Sequence, residues 1–478
     1  MAQAAKGKLA IGWAPVDISP PRPVKLFGQF HERISTHVRD PLHATVLAME
    51  GGGDQLVMVG CDLCEVDREM QDRLRAALRT ALPGLAPEKI FLNATHIHTG
   101  PHTSVQQERM LLPLVGGNLP FELPRSAAGS AVMTTPAYVD FLIGRLKEGI
   151  LQAWKNRRLG GVSWALSHAV VGHNRRVVYR DGTARMYGKT DTDQFETLEG
   201  PSDPGVELLY CWDAKSRLTG IVVNVACPSQ VVEGMSFVSA DYWGEVRKLL
   251  AKRFGPEVAV LPLCGVAGDQ SPRDLPRRGR GEANMREEDG LREIGKRVAD
   301  AVKQKFTAAR RRIVTEAVLR HTVRKVRLPL RRVTRAEAAQ AKKDYDAILA
   351  RWKTENKPAD AGLFVRLFEP AGILRRHGEQ RKTATFAVEL HAVRIGDIAV
   401  ASNPFELFID YGLQMKARSP AQQTFLVQLA CDCCGYLPTA RAVHGGHYSG
   451  VVASGNVGPE GGRMLVEQTV GMIHAFWK

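Results

Sequence analysis

Two histidines one residue apart, His96 and His98, stand in the run Asn93-Ala94-Thr95-His96-Ile97-His98-Thr99-Gly100-Pro101-His102. The apolar segment Lys89 to Leu92 precedes them and reads as a β-strand, in which side chains at i and i+2 share one face. On that spacing the two imidazoles converge on one point, as a divalent metal requires. Gly100-Pro101 ends the strand just beyond them, at the carboxyl end where ligands gather in open α/β sheets. Two histidines satisfied by hydrogen bonds are the commoner outcome of His-x-His, so the pair alone does not decide the chemistry.

Three more strand-like segments run into polar or nucleophilic residues. Gly220 to Ala226 leads into Cys227-Pro228-Ser229-Gln230. Val258 to Leu263 leads into Cys264-Gly265-Val266-Ala267-Gly268-Asp269-Gln270-Ser271-Pro272, and Ile398 to Ala401 into Asn403-Pro404-Phe405-Glu406. If these ends lie on one side of a layered fold, imidazole, thiol, hydroxyl and carboxylate share a cleft. A metal hydrolase that keeps one coordination position open for water needs that mixture.

The elements that would position these groups alternate between apolar runs rich in Val, Ile and Leu and amphipathic segments. Further strands are expected at Thr45 to Met49, Gln55 to Cys61, Ile90 to Ala94, Leu208 to Trp212 and Thr385 to Arg394. The short turns Gly51-Gly52-Gly53-Asp54 and Gly396-Asp397 predict hairpins, so antiparallel pairs are mixed into the sheets. Helices are expected at Arg68 to Leu82, Pro136 to Lys155, Ala240 to Phe254, Glu287 to Ala308, Ala336 to Trp352 and Met464 to Phe476. Thr134-Thr135-Pro136 and Ser239 supply start signals. Arg273 to Asn284 has no apolar period and reads as an exposed loop. The expected fold is a large α/β domain with mixed sheets flanked by helices.

The chain has 478 residues, 44% hydrophobic and 24% charged, enough to bury a large core and unlike a disordered protein. No linker or repeat divides it, which predicts a single domain over 1–478. Lys+Arg total 65 against 50 Asp+Glu, a formal net charge of +15, which suits an anionic substrate, a membrane surface or nucleic acid. The positive charge concentrates between Lys303 and Arg332, on a helix and then a strand, with few aromatics between. A solvated face therefore outweighs a nucleic-acid groove, and no specific nucleic-acid partner is expected. Eight cysteines do not form a secreted disulfide framework in a chain of this length, so a reducing compartment is expected. Cys61 and Cys64, with Cys431, Cys433 and Cys434, allow a four-thiolate zinc site, but free cysteines in apolar strands are usually small buried residues. No stretch reaches membrane-spanning length and no signal-peptide core is visible. The expected location is the cytoplasm, the alternative being export with a leader removed.

At the strand ends the chain resembles the neutral/alkaline (non-lysosomal) ceramidases. Residues 11–21, Ile-Gly-Trp-Ala-Pro-Val-Asp-Ile-Ser-Pro-Pro, are similar to that family's opening strand, and Asp40-Pro41-Leu42-His43-Ala44 to its next element. Asn93 to Pro101 resembles the Thr-His-Thr-His-Ser-Gly-Pro signature, in which the first histidine binds zinc and the second lies beside the reaction. Asn174-Arg175-Arg176 resembles the stretch whose arginine lines the pocket. Gly268-Asp269-Gln270-Ser271-Pro272 resembles the segment with the active-site serine, and Pro404-Phe405-Glu406-Leu407 the segment with a glutamate ligand. Tyr436 and Tyr448 are spaced like the family's zinc-bound and transition-state tyrosines. The chain departs from the pattern in having Cys227 where the family has its second zinc histidine; His102 is an alternative candidate for that place. It also has little sequence after Tyr448, so the family's C-terminal immunoglobulin-like domain is expected to be absent.

The resemblance implies Zn2+ held by His96, Cys227, Glu406 and Tyr436. It implies His98 as proton carrier, Tyr448 and Arg175 at the oxyanion and Ser271 as a contacting hydroxyl. The expected reaction is cleavage of an amide in a lipid-like N-acyl substrate by metal-activated water, with peripheral contact to an anionic membrane surface. Two other readings stay open: a metal-free hydrolase with Cys227 or Ser271 as nucleophile, and a non-catalytic basic protein that binds anionic lipid or nucleic acid.

Overall fold

The computed structural model describes residues 6–104, 131–282, 285–355 and 361–478. A nine-stranded mixed sheet contains β1 (Gly7–Asp17), β2 (His43–Gly51), β3 (Asp54–Cys61), β4 (Ile90–Ala94), β5 (Arg158–His168), β6 (Gly205–Asp213), β7 (Leu218–Val225) and β8 (Ala259–Cys264). Eight strands run in the order β8-β7-β6-β5-β1-β2-β3-β4, and the two-residue strand Glu316–Ala317 pairs with β1. A second sheet joins β9 (Leu319–Pro329), β10 (Thr385–Ile395), β11 (Ile398–Ser402) and β12 (Gln423–Val427) in sequence order. Both expected hairpins form, β2 with β3 and β10 with β11.

The two sheets stack face to face, and helices cover both outer faces. The strand sequences show why. On β2, Ala44, Val46 and Ala48 face α1 (Arg68–Ala81) and α2 (Thr135–Lys155), whereas Leu47 and Met49 face the second sheet, where they share a core with Val393, Ile395, Val400 and Phe425. Both parities of the strand are apolar because both faces are covered. The helices α3 (Tyr242–Phe254) and α4 (Glu287–Arg310) cover β6 and β7. The outer face of the second sheet packs against α7 (Ile409–Arg418) and α8 (Pro459–His474). Gly60 on β3 lies against β8 so closely that a Cβ there would sit 2.4 Å from the Pro262 carbonyl oxygen. That approach draws the carboxyl ends of β4 and β8 toward one another.

Thr134 caps α2 by accepting a bond from the Ala137 N–H at 3.4 Å, as its sequence predicts. The start of α3 differs from the expected one: Asp241 at φ 54 caps it, and Ser239 instead orients that residue by accepting the Asp241 N–H at 3.0 Å. The elements not foreseen include β5 and the helix α6 (Ala361–Glu379), which pairs with α5 (Arg335–Glu355). The expected loop after Arg273 holds a short helix, Leu275–Gly279, capped by Asp274. Basic residues of the 303–332 run sit on α4 and on the exposed positions of β9, including Arg324, Lys325 and Arg327. Among the described residues no helix is long and apolar enough to cross a membrane.

Candidate active site

The carboxyl ends of β4, β7, β8 and β11 meet through backbone bonds. Thr95 O accepts from Ser229 N at 3.3 Å and from Ser229 Oγ at 2.9 Å, and Leu407 O accepts from Gly268 N at 2.8 Å. Only glycine fits at position 268, since a Cβ would lie 2.3 Å from Glu406 O. A two-residue parallel ladder sets Glu406 opposite Tyr436. An antiparallel one sets Ser271 opposite His173, and Arg175 follows with its N–H on Asp269 O at 2.8 Å. The side chains of six distant segments are thereby brought to one place.

Strand β4 ends at Ala94, so the two histidines do not share a strand face as their spacing suggests. They lie in the turn after it, where His96 takes φ 62, a costly conformation for a non-glycine residue. Bonds from His96 N to Leu63 O at 2.9 Å and from Thr95 N to Cys61 O at 2.9 Å hold that turn. The imidazoles still converge, with ring centroids 5.1 Å apart and planes at 79°.

His96 Nδ1 lies 2.7 Å from Cys64 O. A carbonyl can only accept, so Nδ1 carries the hydrogen and, in the neutral ring, Nε2 presents a lone pair. That lone pair faces the Glu406 carboxylate, with Nε2 3.3 Å from Oε2. Two acceptors meet across a gap that asks for a cation or a proton. Tyr436 supplies a third donor, a second oxygen, beside Glu406, and its hydroxyl accepts from Arg175 at 3.1 Å. Burial opposes the charge on Glu406, but His96 when its Nε2 carries a proton, Arg175 and Tyr436 overcome it and hold its carboxyl below the ordinary value. Burial likewise opposes the charged His96 ring, but Cys64 and Glu406 raise it well above its usual value, so without a metal a proton fills the gap. Burial, Glu406 and Tyr448 raise the phenol of Tyr436 well above its usual value.

On the other edge, Cys64 Sγ lies 3.7 Å from His96 Nδ1, and the donor atoms of Cys64, His96 and His98 all fall within 4.8 Å of one another. Although burial works against its thiolate, His96 and His98 bring the Cys64 thiol down to about 7. The orientation of His98 follows from its neighbours. Arg175 can only donate, so the Gln230 atom 3.3 Å away is the carbonyl Oε1, and the Gln230 amide then donates to His98 Nε2 at 2.9 Å. His98 Nδ1–H is left to point at Glu233 Oε2, 3.3 Å away. Glu233 also pairs with Arg273. Burial disfavours the Glu233 carboxylate, but His98, Arg273 and Arg175 hold it down at about 2.

Tyr448 stands over this group with its ring 5.4 Å from that of Tyr436, and Phe30 and Phe368 pack on it at 5.5 and 5.6 Å. Arg176, fully buried, organises the loop that carries Tyr448. It pairs with Glu199 at 2.7 Å and donates to the carbonyls of Tyr448, Ala442 and Gly446 at 2.9, 3.2 and 2.8 Å.

Of the eight residues singled out in the sequence, His96, His98, Arg175, Glu406, Tyr436 and Tyr448 come together. Ser271 sits at the margin: its Oγ accepts from Tyr187 at 3.4 Å and from Arg273 N at 3.2 Å, and Tyr187 in turn accepts from Arg175 at 3.2 Å. Cys227 is placed otherwise. Its thiol is turned toward the carbonyls of Val171 at 3.7 Å and Pro228 at 3.4 Å, within the core beneath α3. Burial pushes it well above the usual thiol range. His102 packs against Phe27 at 4.4 Å and is not in the metal-ligating group among the described residues. The cysteines 61, 64, 431, 433 and 434 form no four-sulfur group among the described residues. Sequence reasoning missed Gln230, Glu233 and Arg273 as site residues and weighed Cys64 only for a four-thiolate zinc site. Glu233 had one legible signal, its place a few residues beyond the polar end of β7.

No protein-family model and no curated protein sequence matches the chain. Solved structures do. A crystal structure of neutral ceramidase from Pseudomonas aeruginosa superposes with a TM-score of 0.69 at 17% identity, covering 98% of this chain and 74% of that one. A ceramidase complexed with C2 gives a TM-score of 0.70 at 16% identity, covering 98% and 75%. The chain has the neutral ceramidase fold, a mixed α/β architecture with sheets flanked by helices.

Proposed function

We propose that this protein is a zinc-dependent amidohydrolase acting on a lipid-like N-acyl substrate. One observation carries the reading: the Nε2 lone pair of His96, fixed by the bond from Nδ1 to Cys64 O, faces Glu406 Oε2 at 3.3 Å with Tyr436 alongside. A nitrogen and two oxygens from rigid ladders form a donor set that suits zinc. His96, Glu406 and Tyr436 would hold the ion; Cys227 would not, since its sulfur is engaged elsewhere. When bound, zinc supplies Lewis acidity and lowers the pKa of water toward neutrality. The likeness to ceramidase structures supports an amide substrate with an apolar acyl group, and the aromatic rings of Phe30, Phe368 and Tyr448 offer such a group a wall.

The chain's own residues divide the remaining work. Glu233 keeps His98 in the tautomer with hydrogen on Nδ1, so that Nε2, once released by Gln230, takes a proton from the attacking water and returns it to the leaving amine. The guanidinium of Arg175 and the hydroxyl of Tyr448 donate to the oxygen on which negative charge develops. Ser271, tied to Tyr187, contacts the substrate at the rim.

Chelation should abolish hydrolysis of N-acyl amines and zinc should restore it, and Glu406→Gln should lower both bound zinc and rate. A second reading has an observation of its own, the Cys64 thiol at about 7 beside two imidazoles, which suits a thiol nucleophile. Full activity in chelated protein, lost on alkylation at Cys64, would replace the metal reading with that one.

A further inference from the structure

The same hydrogen-bond accounting identifies a second place where a lone pair faces a carboxylate, between the two sheets and apart from the residues above. His321 Nδ1 lies 3.1 Å from Gln55 O, so this nitrogen carries the hydrogen and the other ring nitrogen, Nε2, accepts. Its partner at 2.9 Å is His391 Nδ1, which must therefore donate. His391 Nε2 is left as a lone pair, and it meets Glu389 Oε1 at 3.0 Å and Cys431 Sγ at 3.4 Å. All three residues are buried, and Phe91 packs against His391 at 5.1 Å.

We infer that Glu389, His391 and Cys431 form a second, structural binding site for a divalent zinc-class ion. Three points carry this. The donor atoms of the three residues all lie within 4.8 Å of one another, and tetrahedral zinc with bonds of about 2.0 Å to N or O and 2.3 Å to S spaces its ligand atoms by about 3.3–3.5 Å. The donors are one nitrogen, one oxygen and one sulfur, a set that favours zinc over magnesium or calcium. The chain from His391 Nδ1–H through His321 to Gln55 O is the outer support that orients a ligating imidazole by its second nitrogen. Arg75 bonds Glu389 Oε1 at 2.8 Å and orients the carboxylate. Binding would convert the Cys431 thiol to a thiolate and release its proton to solvent. Because the site joins β10 to the segment after β12 beneath the large sheet, the ion would tie that segment to the second sheet and exchange slowly.

The test uses the full chain in the His96→Ala/Glu406→Gln background, which removes the site proposed for catalysis. Elemental analysis after growth with zinc should still give about one equivalent per chain. Cobalt-loaded protein should show a sulfur-to-cobalt absorption band that persists in Cys64→Ser and disappears in Cys431→Ser. Glu389→Gln, nearly isosteric, should lower zinc content in the same way if Cys431→Ser does not fold. No metal in the double-variant background, or a cobalt band lost with Cys64→Ser and kept in Cys431→Ser, overturns the inference. Because the catalytic ligands are absent there, either result is independent of whether the first site binds zinc.

Discussion

Replacing Glu233 by Gln removes one negative charge from the chain of contacts that runs Arg175, Gln230, His98, Glu233, Arg273 while keeping the side chain's volume. The carboxyl is held at about 2 against an ordinary 4.5. At 1.36 kcal/mol per pKa unit, the difference of about 2.5 units makes the ionised form worth about 3 kcal/mol of folded-state stability at pH 7. The folded value lies below the unfolded one, so the contribution is complete above pH about 4.5 and fades as the pH falls toward about 2. At pH 3 about 1.4 kcal/mol should remain. Glu233→Gln should therefore unfold earlier than wild type in urea at pH 7, and the gap should shrink by roughly half at pH 3. Burial lowers the His98 imidazole while Cys64 and then Glu233 raise it; the variant replaces the anionic acceptor of Glu233 with a neutral one, so the limb of the rate profile governed by His98 should move to lower pH. A stability gap that is the same at both pH values would refute the assignment of that charge, whatever happened to the rate.

Arg176→Met leaves Glu199 buried without a partner and frees three loop carbonyls. It should cost about 3–5 kcal/mol in chemical denaturation, and the double change with Glu199→Leu should regain part of that while hydrolysis stays impaired because the Tyr448 loop is loosened. Gly60→Val places side-chain atoms against the Pro262 carbonyl and should lower stability by at least about 1–3 kcal/mol, read as a drop in thermal midpoint; an unchanged midpoint would mean the two strands are not packed as described. Loss of hydrolysis in Glu406→Gln, together with lower zinc content, would agree with the ligand role given to that residue. A variant with wild-type zinc and rate would count against it.

Much of the architecture was legible in the chain. Strands such as Gln55 to Cys61 and Ile90 to Ala94 are apolar at most of their buried positions, and α2 announces its start through Thr134 and Pro136. Strand β5 escaped because its glycines and polar residues break the apolar run, and α6 because Pro370 interrupts a helix that its packing against α5 tolerates. Six of the residues chosen for chemistry do converge. The geometry that makes them converge is another matter: the period-2 argument put His96 and His98 on one strand face, but the strand stops at Ala94 and a left-handed turn brings the rings together.

Residue type and order along the chain determined which groups could take part, because imidazole, carboxylate, thiol and phenol carry their chemistry wherever they lie. Which atoms face one another was decided by the tertiary structure. Cys227 and Cys64 are both buried thiols near strand ends, yet one sulfur rests on carbonyls in the core and the other beside two imidazoles. That difference comes from turns held by hydrogen bonds to residues far away in sequence, such as His96 N to Leu63 O and Ser229 N to Thr95 O, and local sequence pattern does not encode such distant backbone partners.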